Sequence, residues 1–263
     1  MSTEKPDYYA NPRMSNSKAN ILRDCPELFD AYFISRTLPQ EVTDEMRFGS
    51  LLHTYVLEPH LVASRYLTIP KCDRRTTVGK KTWESFCQDL GDKIPVEVDQ
   101  IAMCEQITNA IAKNSGASQL LSLPGNRIER EFFFKRCDVD CKAKLDVVNM
   151  EIGVIIDLKS SSDPSPVAFS KSVVQYGYHR QAAMYIDCVK DSTGEDCRMV
   201  FIVVNKKSPC IAGLYELSDE LVDIGRIELD GLLEEYKTRS ETGNWVSDWA
   251  DGGIHEIVKP KWY

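Results

Sequence analysis

The chain has 263 residues, 43% apolar and 27% charged, which suits one sizeable core in a single elaborated domain. A formal net charge of −8 argues against a protein that coats DNA through bulk electrostatics, although carboxylates that hold cations enter the same sum. No apolar run reaches the roughly 20 residues that cross a bilayer, the opening MSTEKPDYYANPRMS lacks a signal-peptide core, and nine scattered cysteines suit a reducing cytoplasm.

In chain order, Ser15 or Asn16 is placed to cap a helix through Arg23, and Pro26 fits the first turn of a second helix, PELFDAYF. Residues 44–58 carry helical apolar spacing and stop before Pro59. The segment KCDRRTTVGKK, 71–81, reads as a basic loop: a solvated charge run, or a phosphate contact made by Arg74, Arg75, Thr76 and Lys80. Helical spacing returns at roughly 96–113. The middle is β-rich at 130–136, 140–148 and 152–158, with a short turn around Asn149–Glu151. A helix is predicted over about 171–189, strands over 199–204 and 211–216, and a last amphipathic helix over 218–240. Residues 1–263 are therefore expected to form one α/β (α+β) domain with a mixed central sheet flanked by helices. Its parts are a mainly helical 1–125, a sheet core at 126–217, and a helix and tail at 218–263.

Strand periodicity singles out a polar face. In 141–148, Cys141, Ala143, Leu145 and Val147 fall on one side, and Lys142, Lys144 and Asp146 on the other. In the next strand Asp157 and Lys159 share a side and Leu158 points away. Paired as a hairpin, the two strands bring Asp146 beside Asp157. Adjacent carboxylates repel unless a cation compensates, and such oxygen-rich sites suit Mg²⁺ or Mn²⁺. A lysine two residues past the second Asp can orient water and stabilise a charged phosphate. The bland alternative is a surface Asp–Lys pair on an edge strand. Cys137 and Cys141 have no second pair or nearby histidine to complete a zinc site.

Asp146, ten intervening residues, then Asp157-Leu158-Lys159 resembles the PD-(D/E)XK nucleases, in the branch that holds the RecB nuclease domain and the RecE exonucleases (exodeoxyribonuclease VIII). Other segments agree. Ser15-x-Ser17 through Cys25-Pro26 and Phe29 is similar to that branch's opening helix, and Gly49 to His53 to its G-x-x-x-H helix. Glu129 and Glu131 stand where it has an acidic residue, and Gln181 to Tyr185 match its Q-x-x-x-Y motif. Leu57-Glu58-Pro59, the Arg74-Arg75-Thr76 segment with Lys80, and Tyr178-His179 look most like the RecE-type members.

The resemblance implies a restriction-endonuclease-like core. It implies metal ligation by Asp146, Asp157, the Leu158 carbonyl and His53, with Lys159 acting on water and Glu129 or Glu131 orienting a second metal. It also implies supporting roles for Gln181 and Tyr185 and DNA contacts by Tyr178 and His179, although helix packing accounts for Gln181 and Tyr185 almost as well. The implied activity is Mg²⁺-dependent digestion of duplex DNA from an end, 5′-to-3′, with Mn²⁺ as a substitute. Expected partners are DNA ends, copies of the chain in a trimeric or tetrameric ring, and a strand-annealing protein for recombination. No iron–sulfur cluster is expected, since no cysteine follows Cys210, and no membrane contact. The rivals are an endonuclease of the same fold and a DNA-end or partner-binding module without catalysis.

Overall fold

The computed structural model describes residues 8–250 and 252–259. Met1 to Asp7, at the polar opening, lie outside the described residues, as does the end of the tail.

The N-terminal half is helical for the reasons the sequence offers. Helix α1 (Asn16–Asp24) is capped by the Ser15 hydroxyl, which accepts from Lys18 N, and α2 (Pro26–Phe29) starts on Pro26. The predicted PELFDAYF helix does not stay regular, because Asp30–Ile34 winds into a wider π turn. Helix α3 (Asp44–Leu57), capped by Thr43, matches expectation and ends before Pro59. The short α4 (Val62–Arg65) leads into β1 (Tyr66–Thr68).

The basic segment is not a plain loop. Thr76 accepts from Gly79 N and caps helix α5 (Thr77–Leu90), which absorbs the second half of KCDRRTTVGKK. After β2 (Ile94–Val96), parallel to β1, come α6 (Val98–Lys113) and α7 (Ser115–Leu121).

The central sheet has five strands in sequential order: β3 (Arg127–Arg136), β4 (Val139–Asn149), β5 (Val154–Ser161), β6 (Arg198–Asn205) and β7 (Ala212–Glu216). Only β5 and β6 run parallel. A parallel pair needs a crossover, supplied by α8 (Pro166–Gln175) and α9 (Tyr178–Thr193). The predicted helix over 171–189 is thus two helices, broken where Gly177 adopts φ 66. Helix α10 (Asp219–Thr242) closes the domain.

Helices cover both faces. Leu51, Leu52, Ile107 and Ile111 pack on Val154, Ile156, Leu158 and Ile202, while Phe169, Val173, Ala182 and Val189 pack on Ile155, Phe201 and Val203. Near-continuous apolar runs in β5 and β6 follow from burial on both sides. A third cluster joins α1, α2, α9 and α10 through Leu22, Phe29, Met184 and Leu229.

Two expectations for β4 need correction. Ala143 and Leu145 lie on the α9 side but Val147 lies on the α3 and α6 side, so the alternation changes phase at Asp146. The facing strand is distorted there, with Glu129 at φ 54. Lys142, predicted on a polar face, is buried, its Nζ donating to the Tyr8 and Asn11 carbonyls at 2.6 and 2.8 Å.

Candidate active site

The site lies where β4 and β5 part. They pair from Val147↔Ile156 to Asn149↔Val154, a register that, continued by one residue, sets Asp146 opposite Asp157. No strand bond is made there, and side chains take over the freed backbone. Asp146 Oδ2 accepts from Leu158 N at 2.8 Å, and the Leu158 carbonyl lies 2.8 Å from His53 Nε2. Beyond the split, Met14 bridges β4 by donating to Asp140 O and accepting from Lys142 N.

His53 reaches the split from α3, with Nδ1 3.4 Å from Asp146 Oδ1. Glu129 arrives from β3, and candidate ligand atoms of His53, Glu129 and Asp146 lie within 4.8 Å of one another. The choice left open between the two glutamates is thereby made by geometry: Glu129 belongs to this group and Glu131, opposite Lys144, does not. Glu129 also ion-pairs with Lys144, and its left-handed backbone is an unusual conformation for a non-glycine residue, found where surroundings impose it.

Asp157 is 1% exposed. Gln181 Nε2 donates to its Oδ1 at 2.9 Å, and Lys159 Nζ stands 2.6 Å from its Oδ2. That second contact is an ion contact without hydrogen-bond alignment, which leaves Oδ2 buried and short of a directed donor. Tyr178 places its ring 4.8 Å from the Lys159 ammonium, and Tyr185 donates to the Lys144 carbonyl at 3.0 Å. Gln181 and Tyr185 both line the cleft above the site.

The charges are mutually dependent. Burial, reinforced by Asp146, pushes the Asp157 carboxyl up to about 6 despite the Lys159 ammonium. Burial would also raise Asp146, but His53 and Lys159 outweigh it and hold this carboxyl below its ordinary value. Burial opposes a charged His53, yet Asp146 prevails and carries the imidazole to about 9. Lys159 is raised by Asp157 against the effect of burial. An imidazolium and an ammonium therefore balance the carboxylates.

This donor set fits a divalent cation. Carboxylates and a main-chain carbonyl are hard ligands and imidazole a borderline one, and the buried Asp157 Oδ2, beside the Lys159 ammonium but without an aligned hydrogen-bond donor, keeps acceptor capacity. Asp157 stands outside the closest group of three and holds Lys159 instead.

Not every predicted residue comes to the cleft. His179 is 1% exposed and faces away, its Nε2 2.8 Å from Glu228 on α10 and its Nδ1 3.1 Å from the Val173 carbonyl. Buried in helix packing, it is not available for DNA contact. Arg74 stacks on Trp83, Arg75 pairs with Asp73 at 3.0 Å, Thr76 is a helix cap and Lys80 is exposed. None of these four lines the cleft around Lys159. Sequence reasoning also missed Met46, Tyr176, Lys206 and the serines 160–162, which do line it. The run Ser160-Ser161-Ser162 directly after Lys159 was the available signal.

A mixed sheet with helices on both faces and two acids and a lysine at a strand split define the PD-(D/E)XK class of domain. The chain belongs to the family described as "PDDEXK-like domain of unknown function" (DUF3799), whose model matches residues 15–248. It is similar in fold to the crystal structure of a candidate exonuclease from Eubacterium rectale, with 14% identity, a TM-score of 0.63, and coverage of 98% of this chain and 96% of that one. A second crystal structure, of SSO0001, has 14% identity over 72% of this chain and 85% of that one, with a TM-score of only 0.31. Among curated proteins, an inorganic pyrophosphatase from Ralstonia nicotianae (strain ATCC BAA-1114 / GMI1000) is 40% identical over 72 residues, 26% of this chain. The match spans about 38% of that relative's length.

Proposed function

We propose that this chain is a divalent-metal-dependent deoxyribonuclease that digests duplex DNA from its ends, 5′-to-3′, leaving 3′ single strands for recombination. The observation that carries the reading is the convergence of His53, Glu129 and Asp146 beside the Asp157–Lys159 pair, whose lysine lines a cleft of about 540 Å³. The fold shared with the candidate exonuclease from Eubacterium rectale supports the nuclease class, and the sequence resemblance to RecE-type enzymes supports the choice of ends and polarity.

Asp146, Glu129, His53 and the Leu158 carbonyl would hold the ion, with Asp157 completing its surroundings. When bound, Mg²⁺ or Mn²⁺ supplies Lewis-acid polarisation of a phosphoryl oxygen and a more acidic water. His53 must release its proton to bind, as any imidazole ligand must. Lys159, held between Asp157 and the Tyr178 ring, directs its ammonium at charge that develops on the phosphate. Gln181 fixes the Asp157 carboxylate, and Tyr185 braces β4 through the Lys144 carbonyl. A ring of three or four copies, and an annealing partner, belong to the same proposal. A ring would let an acidic chain retain DNA without a motor.

The test uses Mg²⁺ and linear duplexes labelled at one 5′ or 3′ terminus, beside a covalently closed circle and inorganic pyrophosphate. The expected result is early release of 5′-terminal nucleotides with the circle intact. Cutting of the circle would replace the exonuclease by an endonuclease. Phosphate release from pyrophosphate without nucleotide release would overturn the nuclease.

A further inference from the structure

The cleft does not end at Lys159. A second lobe of about 600 Å³ opens beyond it, lined by Ser160, Ser161, Ser162 and Lys206 among others. Four residues, Met46, Lys159, Tyr176 and Tyr178, line both lobes and so form the neck between them. The first lobe, of about 540 Å³, is lined by polar and aromatic side chains together. The second offers hydroxyls and two ammonium groups beside the Glu45 carboxylate, and its size is within the range of small-ligand sites.

Met46 is 48% exposed, and Tyr176, the neck's solvent-exposed aromatic residue, is 51% exposed. Its ring lies 5.8 Å from that of Tyr178, which stacks on Phe169, which in turn stacks on Tyr215 at 4.9 Å. The outer face of this aromatic series is thus presented to the cleft from an anchored base. The backbone that carries Tyr176 is held as well: Asn20 Nδ2 donates to the Tyr176 carbonyl at 2.9 Å and Arg23 Nη2 to the Gln175 carbonyl at 3.2 Å. The following Gly177 is at φ 66, and a Cβ there would fall 2.1 Å from Arg180 Nη2. An exposed aromatic ring on a braced turn is a preorganised surface for a flat partner, since stacking is lost when the platform itself must be ordered.

Resting on the nuclease reading, we propose that Tyr176 and Met46 form a nucleobase slot. It holds the base next to the scissile phosphate, and the sugar-phosphate of that nucleotide enters the lobe of Ser160, Ser161, Ser162 and Lys206. A thioether and a phenol ring contact any base through its π-face, so the slot positions a nucleotide without selecting sequence. Lys206 and the Ser160 and Ser162 hydroxyls recognise the phosphate that follows, while the Ser161 hydroxyl donates to the Asp163 carbonyl at 2.8 Å. Tyr176 acts here as a positioning residue. It orients the strand that Lys159 and the acidic group address.

The experiment reads base stacking apart from cleavage. A single-stranded overhang carrying 2-aminopurine, whose emission falls when it stacks, is titrated with the Lys159→Ala protein and with Lys159→Ala combined with Tyr176→Ala, Tyr176→Phe or Met46→Ala. Quenching is expected with Lys159→Ala, retained with Tyr176→Phe, and lost with Tyr176→Ala, with about tenfold weaker binding. Met46→Ala, on a different element, should lose part of it. In the Lys159-containing protein, Tyr176→Ala should raise KM about tenfold and leave kcat within about twofold. Equal quenching with and without the Tyr176 ring overturns the slot. Absence of nucleotide release by the unaltered protein overturns the nuclease reading, whatever the 2-aminopurine signal.

Discussion

Lys159 is stabilised as an ammonium by Asp157 and by the Tyr178 ring, so removing it changes charge without removing a ligand. Lys159→Ala should leave DNA affinity nearly unchanged in a filter-binding assay and lower single-turnover cleavage by about 10²–10³-fold; a rate near normal would remove Lys159 from the mechanism. Much of this site was legible in the sequence. The parity of Asp157 and Lys159 is set by a regular strand, and Asp146 needs only the hairpin register to meet them. The choice between Glu129 and Glu131 was not legible, because both have the same parity, and it takes the pairing of β3 with β4 and the φ of 54 at Glu129 to separate them. His179 misled for a related reason: its neighbours Tyr178 and Gln181 do reach the cleft, but the helix turns His179 toward α10.

At the scale of elements, α9 and α10 approach closely enough that a Cβ on Gly225 would sit 2.3 Å from the His179 carbonyl. Gly225→Leu should therefore push the two helices apart and cost about 1–3 kcal/mol or more, read as a lower midpoint in urea. Because α9 also carries Gln181, cleavage should fall alongside stability. Capping and proline signals foretold α1 and α3, and apolar runs foretold β5 and β6, since each rests on local chemistry. Helix α5 was hidden because its first turn is basic and its cap, Thr76, reads as a phosphate donor when taken alone. The break between α8 and α9 depends on Gly177, which apolar spacing alone passes over.

Across the whole molecule, the segment after α10 is fastened to the N-terminal helices. Glu27 on α2 accepts from the Ser247 amide at 2.7 Å and from its hydroxyl, which lowers its pKa. A depressed carboxyl stabilises the fold above its unfolded value of about 4.3, and that contribution is lost as pH falls through the lower folded value. Acidification through that lowered value should therefore shift the Ser247 amide resonance toward an unbonded position, and Glu27→Ala should produce that shift at neutral pH; an amide unmoved by either would show that the fastening lies elsewhere. A different consequence follows from the parting of β4 and β5. At Leu158, both main-chain groups on that side are partnered by the side chains of Asp146 and His53 instead of by a strand. The amide proton of Leu158 is thus a reporter wired to the acidic group. In deuterium oxide, Asp146→Ala should let Leu158 exchange quickly while Ile156, still zipped to Val147, stays protected. The integrity of the chemistry could then be followed in an intact protein with no substrate added, by the clock of one hydrogen.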